Sequence, residues 1–307
     1  MILIADLGAT NARFCVTEDC NSYSCVESYS IKDFDNLENL CRTYISDQNL
    51  LDIKKAVIGV AAPILGDSIS FVNVDLTFSI KKLKDSLFTE GLTVVNDLAL
   101  QANALFNLDT KDLSYIGDNE LTTGPKILVS PGTGLGLAGV VGNKVVSTEA
   151  GHINISDKVL RPDLKKIIQR FISENSRVPT YEDFLSGKGI SFFYSTLSGD
   201  RDITLTNEQI LSNREDNYCL QTIGLLNYLL SSYLRYMTLV WGAHGGVLLS
   251  GSIINSLIKE EDYEIFRTIF EDSETMKNYM EATPLAILRV DNIGFAGGLE
   301  LAKIMKK

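Results

Sequence analysis

The sequence predicts an α/β protein of two lobes, with mixed sheets flanked by helices and a cleft between the lobes. Three observations carry this. The 307-residue chain exceeds the size at which one hydrophobic core usually stops growing. A strand, a glycine-threonine loop, a strand, a turn and a further strand follow one another twice, from Ile2 to Ile31 and again from Lys126 to Thr148. Helical stripes alternate with apolar strands after each of these openings.

In chain order, Ile2 to Ala5, Arg13 to Val16 and Cys25 to Ile31 read as strands joined by the Gly8–Asn11 loop and the polar turn Thr17–Ser22. Asp35 with Glu38 suggests a capping box for a helix bearing Leu37, Leu40, Tyr44 and Ile45, ahead of the strand Ala56 to Val60. Ser79 is placed to cap a helix running to Phe88, and the strand Leu92 to Val95 leads through Asn96 and Asp97 into a helix over Ala99–Leu108. The second meander comprises Lys126 to Val129, Leu137 to Val141 and Val145 to Thr148, its last two strands joined by a Gly142-Asn143 turn. After Arg161 helices dominate, notably Tyr218–Trp241, until strands at Gly246 to Leu249 and Leu285 to Val290 and a last helix over Phe295–Met305. Turn residues collect near Asn107–Asp118, which places a small α/β lobe at 1–108, a large α/β lobe at 109–289, and 290–307 returning to the first.

Composition narrows the function. Hydrophobic residues at 45% and charged residues at 22% are ordinary globular usage. A net charge of -11 gives a surface that repels a phosphate backbone, which argues against a nucleic-acid partner. An anionic substrate must then be met by backbone amides, helix ends and a metal ion. The first residues lack a basic segment followed by an apolar stretch, so no signal peptide is predicted, and no apolar run is long enough to span a bilayer. Five cysteines, including Cys15, Cys20, Cys25 and Cys41, lack the paired spacing of a zinc site and read as reduced thiols.

Several motifs carry chemistry. Asp6-x-Gly8-x-Thr10 lies on a strand-to-strand turn, where glycine admits a phosphate to backbone amides and Asp6 faces a magnesium ion. An ordinary tight turn would read the same way. Gly132-Thr133-Gly134-Leu135-Gly136 repeats the device. Gly134-x-Gly136-x-x-Gly139 also fits a dinucleotide fingerprint, but a strand and turn follow where that motif needs a helix; a Walker loop is absent. Asp97 can serve as general base toward an alcohol. It also occupies the place of a helix N-cap, and position alone favours the cap. Glu149, His152, Glu182 and Asp183 lie in polar stretches bounded by glycine and can pair with sugar hydroxyls, although each alone reads more simply as a structural or solvated residue. His244-Gly245-Gly246 and Ser250-Gly251-Ser252 bracket one strand, and a small residue after it admits a flat ligand as readily as it makes a turn.

Taken in order, Ala5–Phe14, Val94–Ala99, Pro131–Ala138, Glu149–Ile153, Phe184–Gly189 and Gly245–Ile253 closely resemble the bacterial glucokinase family, within the superfamily of two-lobed actin-like ATPase (ribonuclease H-like) folds that includes hexokinase. The resemblance spans nearly the whole chain. It implies ATP-dependent phosphorylation of glucose at its 6-hydroxyl, with Asp97 as base and Asn73, Asn96, Asp97, Glu149, His152 and Glu182 holding the sugar. Gly8, Ala9, Thr10, Asn11, Gly132, Thr133 and Gly134 would line the phosphate path, Asp6 would act through Mg²⁺ and water, and Gly251 would lie by the adenosine. The resemblance further implies closure on glucose, a homodimer and a cytoplasmic location. Ala9 and Ser252 stand where many members have glycine, and Leu76 replaces a family tryptophan, which leaves another hexose or an amino sugar as alternative acceptor. The cysteine-rich zinc motif of the related repressors is missing. A sugar sensor without turnover is the reading from a different class, and Asp97 speaks against it.

Overall fold

The computed structural model describes residues 1–8, 10–71, 76–155 and 161–306. Their backbone divides into two units, Met1–Thr110 with Val290–Lys307, and Lys111–Arg289.

In the first unit, strands β1 (Ile2–Leu7), β2 (Asn11–Thr17) and β3 (Ser24–Ser30) form an antiparallel meander, and β1 pairs in parallel with β4 (Lys55–Val60), after helix α1 (Leu37–Asp47). Two short strands, β5 (Ser68–Ser70) and β6 (Thr77–Ser79), pair with each other ahead of α2 (Ile80–Ser86). β7 (Gly91–Asn96) then lies parallel to β4 and runs into α3 (Asp97–Asn103), giving the sheet order β3-β2-β1-β4-β7. The apolar run that opens the chain is explained by burial on both sheet faces. Leu3, Ala5 and Leu7 pack with Leu40 and Tyr44 of α1 and Leu83 of α2. Ile2 and Ile4 pack on the other face with Leu100 of α3 and with Phe295 and Leu299 of the C-terminal helix Ile293–Lys306.

Ser79 caps α2 as expected, accepting from the Lys82 N–H at 3.1 Å. The cap of α1 differs from expectation: Asn36 accepts from the Asn39 N–H at 2.8 Å, while Glu38 pairs with Arg42 at 2.6 Å. Starting the helix at Leu37 puts Leu37, Leu40, Cys41 and Tyr44 on its buried side, and burial of that stripe fixes which polar residue becomes the cap.

The C-terminal helix lies close against α3. A methyl group added at Gly297 would overlap the carbonyl oxygen of Leu100, which is backbone and cannot swing aside. Gly297→Ala is therefore expected to cost about 2–3 kcal/mol, by the usual scale of overpacking, seen as a lower urea midpoint at unchanged slope.

The second unit repeats the arrangement. After the edge strand β8 (Leu113–Tyr115), β9 (Lys126–Pro131), β10 (Leu135–Val141) and β11 (Lys144–Thr148) form the meander. Helices α4 (Pro162–Asn175), α5 (Tyr181–Phe184), α6 (Gly187–Ser198), α7 (Asn207–Ser212) and α8 (Asn217–Trp241) precede β12 (Gly246–Leu249), α9 (Ser252–Leu257) and β13 (Leu285–Leu288). β12 lies parallel to β9, and β13 parallel to β12, so β11-β10-β9-β12-β13 matches the first sheet strand for strand, with β8 added antiparallel at its edge. The core beneath it includes Leu226, Leu230, Tyr233 and Leu234 of α8 together with Val129 and Leu249. Asp216 caps α8 through the Cys219 N–H at 2.8 Å, and Gly242 ends it in the left-handed conformation at φ 59°.

Candidate active site

In the first unit, Leu7 is level with Val60 and Val60 with Asn96 across the parallel strands β1, β4 and β7. The Gly8 loop and the Asn96-Asp97 step therefore leave the sheet at the same edge, the carboxyl edge where open α/β sheets bind ligands. The Gly8 turn is closed by the Gly8 N–H donating to the Asn11 carbonyl at 3.0 Å, and the Ile31 N–H donates to Thr10 O at 3.0 Å. Thr10 and Asn11 are exposed, and Ala9 and Asn73 lie outside the described residues. Leu76 is buried in the core of this unit.

Asp6 faces Arg13 on β2 and Gly59 on β4. Burial pushes its carboxyl up to about 6 against the opposing pull of Arg13. The carboxylate fits here because Gly294, in the first turn of the C-terminal helix, has no side chain: a Cβ there would overlap Asp6 Oδ2. A helix N-terminus beside a carboxylate favours its charged form. These surroundings suit magnesium, which keeps several waters and takes one or two carboxylates beside phosphate oxygens. Among the described residues no cluster of His, Cys, Asp and Glu offers a dedicated metal cage.

At the β7–α3 step the cap is Asn96, whose Oδ1 accepts from the Leu98 N–H at 3.0 Å and the Ala99 N–H at 3.2 Å. The cap reading of Asp97 is thereby corrected. Asp97 is the first helical residue, half-buried, with Oδ1 accepting the Leu98 N–H at 2.8 Å. Neighbouring Asn and Asp both suit a cap, and the extended backbone of Asn96 (φ -61°, ψ 147°) decides between them.

In the second unit, Glu149, His152 and Glu182 come together. His152 Nε2 lies 3.8 Å from Glu149 Oε2, and His152 Nδ1 lies 3.9 Å from Glu182 Oε1. Backbone bonds hold the two segments side by side, Tyr181 N–H to Ile153 O at 3.0 Å and Ile155 N–H to Pro179 O at 2.9 Å. Glu182 also reaches the glycine loop: its Oε2 accepts the Leu135 N–H at 2.9 Å, in space that a side chain at Gly134 would occupy. The loop itself is bound by Gly132 N–H to Gly134 O at 2.8 Å and by Gly187 N–H to Gly132 O at 2.9 Å, while Thr133 is exposed. Gly251 follows β12 at φ 101°, beside Ser130 and the Pro131 carbonyl, so the Gly132 loop and Gly251 share one sheet edge. His244 sits at the other end of β12, its Nδ1 2.9 Å from the Gly242 carbonyl, and serves the turn.

Asp183 does not join its neighbour Glu182. It turns to Arg177, accepting from both guanidinium NH groups at 2.7 Å, and to Thr180. Sequence reasoning did not single out Arg177, Gly187 or Gly294. The Thr180-x-x-Asp183 spacing was a readable capping signal and Arg177 lies six residues from Asp183, whereas the Gly187 and Gly294 contacts join residues distant along the chain. Cys15, Cys20 and Cys41 are buried free thiols, and among the described residues no helix is long and apolar enough to cross a membrane.

The whole chain is similar to known proteins. A family model described as Glucokinase matches residues 3–304. A glucokinase of Neisseria gonorrhoeae is 30% identical over 312 residues, covering 96% of this chain and 92% of the relative. The crystal structure of a glucokinase from an Antarctic psychrotroph superposes with a TM-score of 0.81 at 27% identity, covering 99% of this chain and 98% of that one. A glucokinase of the ROK family from Streptomyces griseus, solved with glucose and AMPPNP, has a TM-score of 0.68 at 15% identity, covering 99% and 98%.

Proposed function

The chain belongs to the glucokinase family, and from that premise we propose that it transfers the γ-phosphoryl group of ATP to the 6-hydroxyl of glucose. The observation that carries this reading is the convergence of Glu149, His152 and Glu182, two carboxylates flanking an imidazole within 3.9 Å. Such a set offers acceptors and a donor to adjacent sugar hydroxyls and so fixes the orientation of the ring. Asn73 and Asn96 supply further sugar contacts in this reading.

Asp97 is the general base. As the glucose oxygen forms its bond to phosphorus and the bond from phosphorus to the ADP oxygen breaks, the hydroxyl proton passes to the Asp97 carboxylate. Gly8, Ala9, Thr10 and Asn11, with Gly132, Thr133 and Gly134, line the phosphate path, and Gly251 leaves room for the adenosine. Asp6 would hold Mg²⁺ through water, and the ion, bound with ATP, would supply charge neutralisation to the phosphates. In the same reading the enzyme is a cytoplasmic homodimer that feeds glucose into glycolysis.

The acceptor is tested by ADP release across glucose, mannose, fructose and glucosamine. Glucose is expected to give the highest kcat/KM. Because Leu76 stands where the family tends to carry tryptophan, a preference for glucosamine or another hexose would replace the acceptor and keep the fold and the base. Glucose binding without ADP release would instead support a sensor.

A further inference from the structure

We propose that Asp183 is a positioning residue for the sugar: through its bonds to Thr180 and Arg177 it fixes the single helical turn that aims Glu182. The proposal rests on the glucokinase reading of Glu182.

The turn α5 spans four residues, Tyr181–Phe184. A helix so short cannot offset its own nucleation cost, so its geometry must be imposed by caps and neighbours. Asp183 supplies the main restraint. Its Oδ2 accepts from the Thr180 N–H at 2.8 Å and the Thr180 hydroxyl at 2.9 Å, and Thr180 Oγ1 returns the bond by accepting the Asp183 N–H at 3.3 Å. Arg177 adds a two-pronged ion pair and lies with its guanidinium 5.0 Å over the Phe171 ring, which limits the positions it can take. Burial alone would raise the Asp183 carboxyl, but Arg177 and Thr180 outweigh it and hold the group below its ordinary 3.8, so it stays charged at neutral pH.

Glu182 is the residue between these restraints. Thr180 before it is bridged to Asn154, in the segment that follows His152. Its own carboxylate has one oxygen on the Leu135 N–H and the other toward His152. A turn freed at Asp183 lets that carboxylate drift both from the sugar side and from the glycine loop. Displacements of about 1 Å in such groups cost on the order of tenfold or more in function. Two Michaelis constants should therefore move together.

The test measures KM for glucose and for ATP, kcat and melting temperature in the wild type and in Asp183→Ala, Asp183→Asn and Asp183→Glu. Asp183→Ala is expected to raise the glucose KM about tenfold and the ATP KM about threefold in folded protein. Asp183→Glu, which rebuilds the more usual capping box, is expected to return both to within about twofold. Should Asp183→Ala fail to fold, Asp183→Asn carries the comparison, since it keeps the volume and loses the charge. A folded variant whose glucose KM equals that of the wild type, or a glutamate variant as impaired as the alanine one, overturns the proposal. A wild type that does not phosphorylate glucose would instead overturn the reading on which it rests.

Discussion

Asp97→Asn is expected to lower kcat about a thousandfold, within the range assigned to a positioned general base, while glucose still binds and the protein still folds. The expectation of intact folding follows from the geometry at the β7–α3 step. Capping is carried by Asn96, which receives the Leu98 and Ala99 N–H groups. The Leu98 N–H bond that Asp97 accepts at 2.8 Å can be accepted equally by an amide oxygen. What the amide cannot do is take a proton from an alcohol. Steady-state rates with ATP and glucose, together with calorimetric titration of glucose, separate the two effects. A kcat within tenfold of the wild type would remove Asp97 from the role of base.

Gly294→Ala is expected to be the most damaging change outside the residues assigned to substrate. The new methyl group falls on the Asp6 carboxylate, near its Oδ2 and Cγ. Asp6 is fixed in β1 between β2 and β4, so its side chain must rotate away. The expected result is a fall of about a hundredfold in kcat/KM for ATP, the scale of loss when a catalytic group is misplaced by about 1 Å. Affinity for glucose should change little. Gly297→Ala is the informative control, because it adds the same methyl group three residues along the same helix but meets a Leu100 carbonyl in place of Asp6. It should lower stability and spare ATP kinetics. Unchanged ATP kinetics in Gly294→Ala would show that Asp6 does not serve the nucleotide.

Much of the fold was legible because local and long-range demands coincide. In β1 the same apolar run that favours a strand also fills the space on both faces of the sheet. The repeated strand, loop and strand pattern corresponds to two sheets of matching order. Where demands conflicted, the sequence was silent or ambiguous. Asn96 and Asp97 are both good caps, and one residue of helix register decides between cap and base. At α1 the sequence points to Asp35 as the cap, and the structure uses Asn36, because of which face of the helix is buried.

Among the site residues, glycine loops and polar clusters could be found from composition, but their convergence could not. The bond from Leu135 N–H to Glu182 joins positions 47 residues apart, and nothing in either neighbourhood announces it. Gly294 is harder still. A glycine inside a helix reads as a simple loss of stability, and its purpose appears only when Asp6, from the other end of the chain, is placed against it. The pairing of Asp183 with Arg177 is similar: adjacent carboxylates at 182 and 183 look interchangeable in sequence and face different partners in the fold.

The most direct test is to identify the product. Wild-type protein incubated with glucose, ATP and Mg²⁺ and followed by phosphorus NMR should yield glucose 6-phosphate and ADP in equal amounts, with no ADP formed when glucose is left out. Phosphorylation at another hydroxyl, or release of free phosphate without a phosphorylated sugar, would contradict the account.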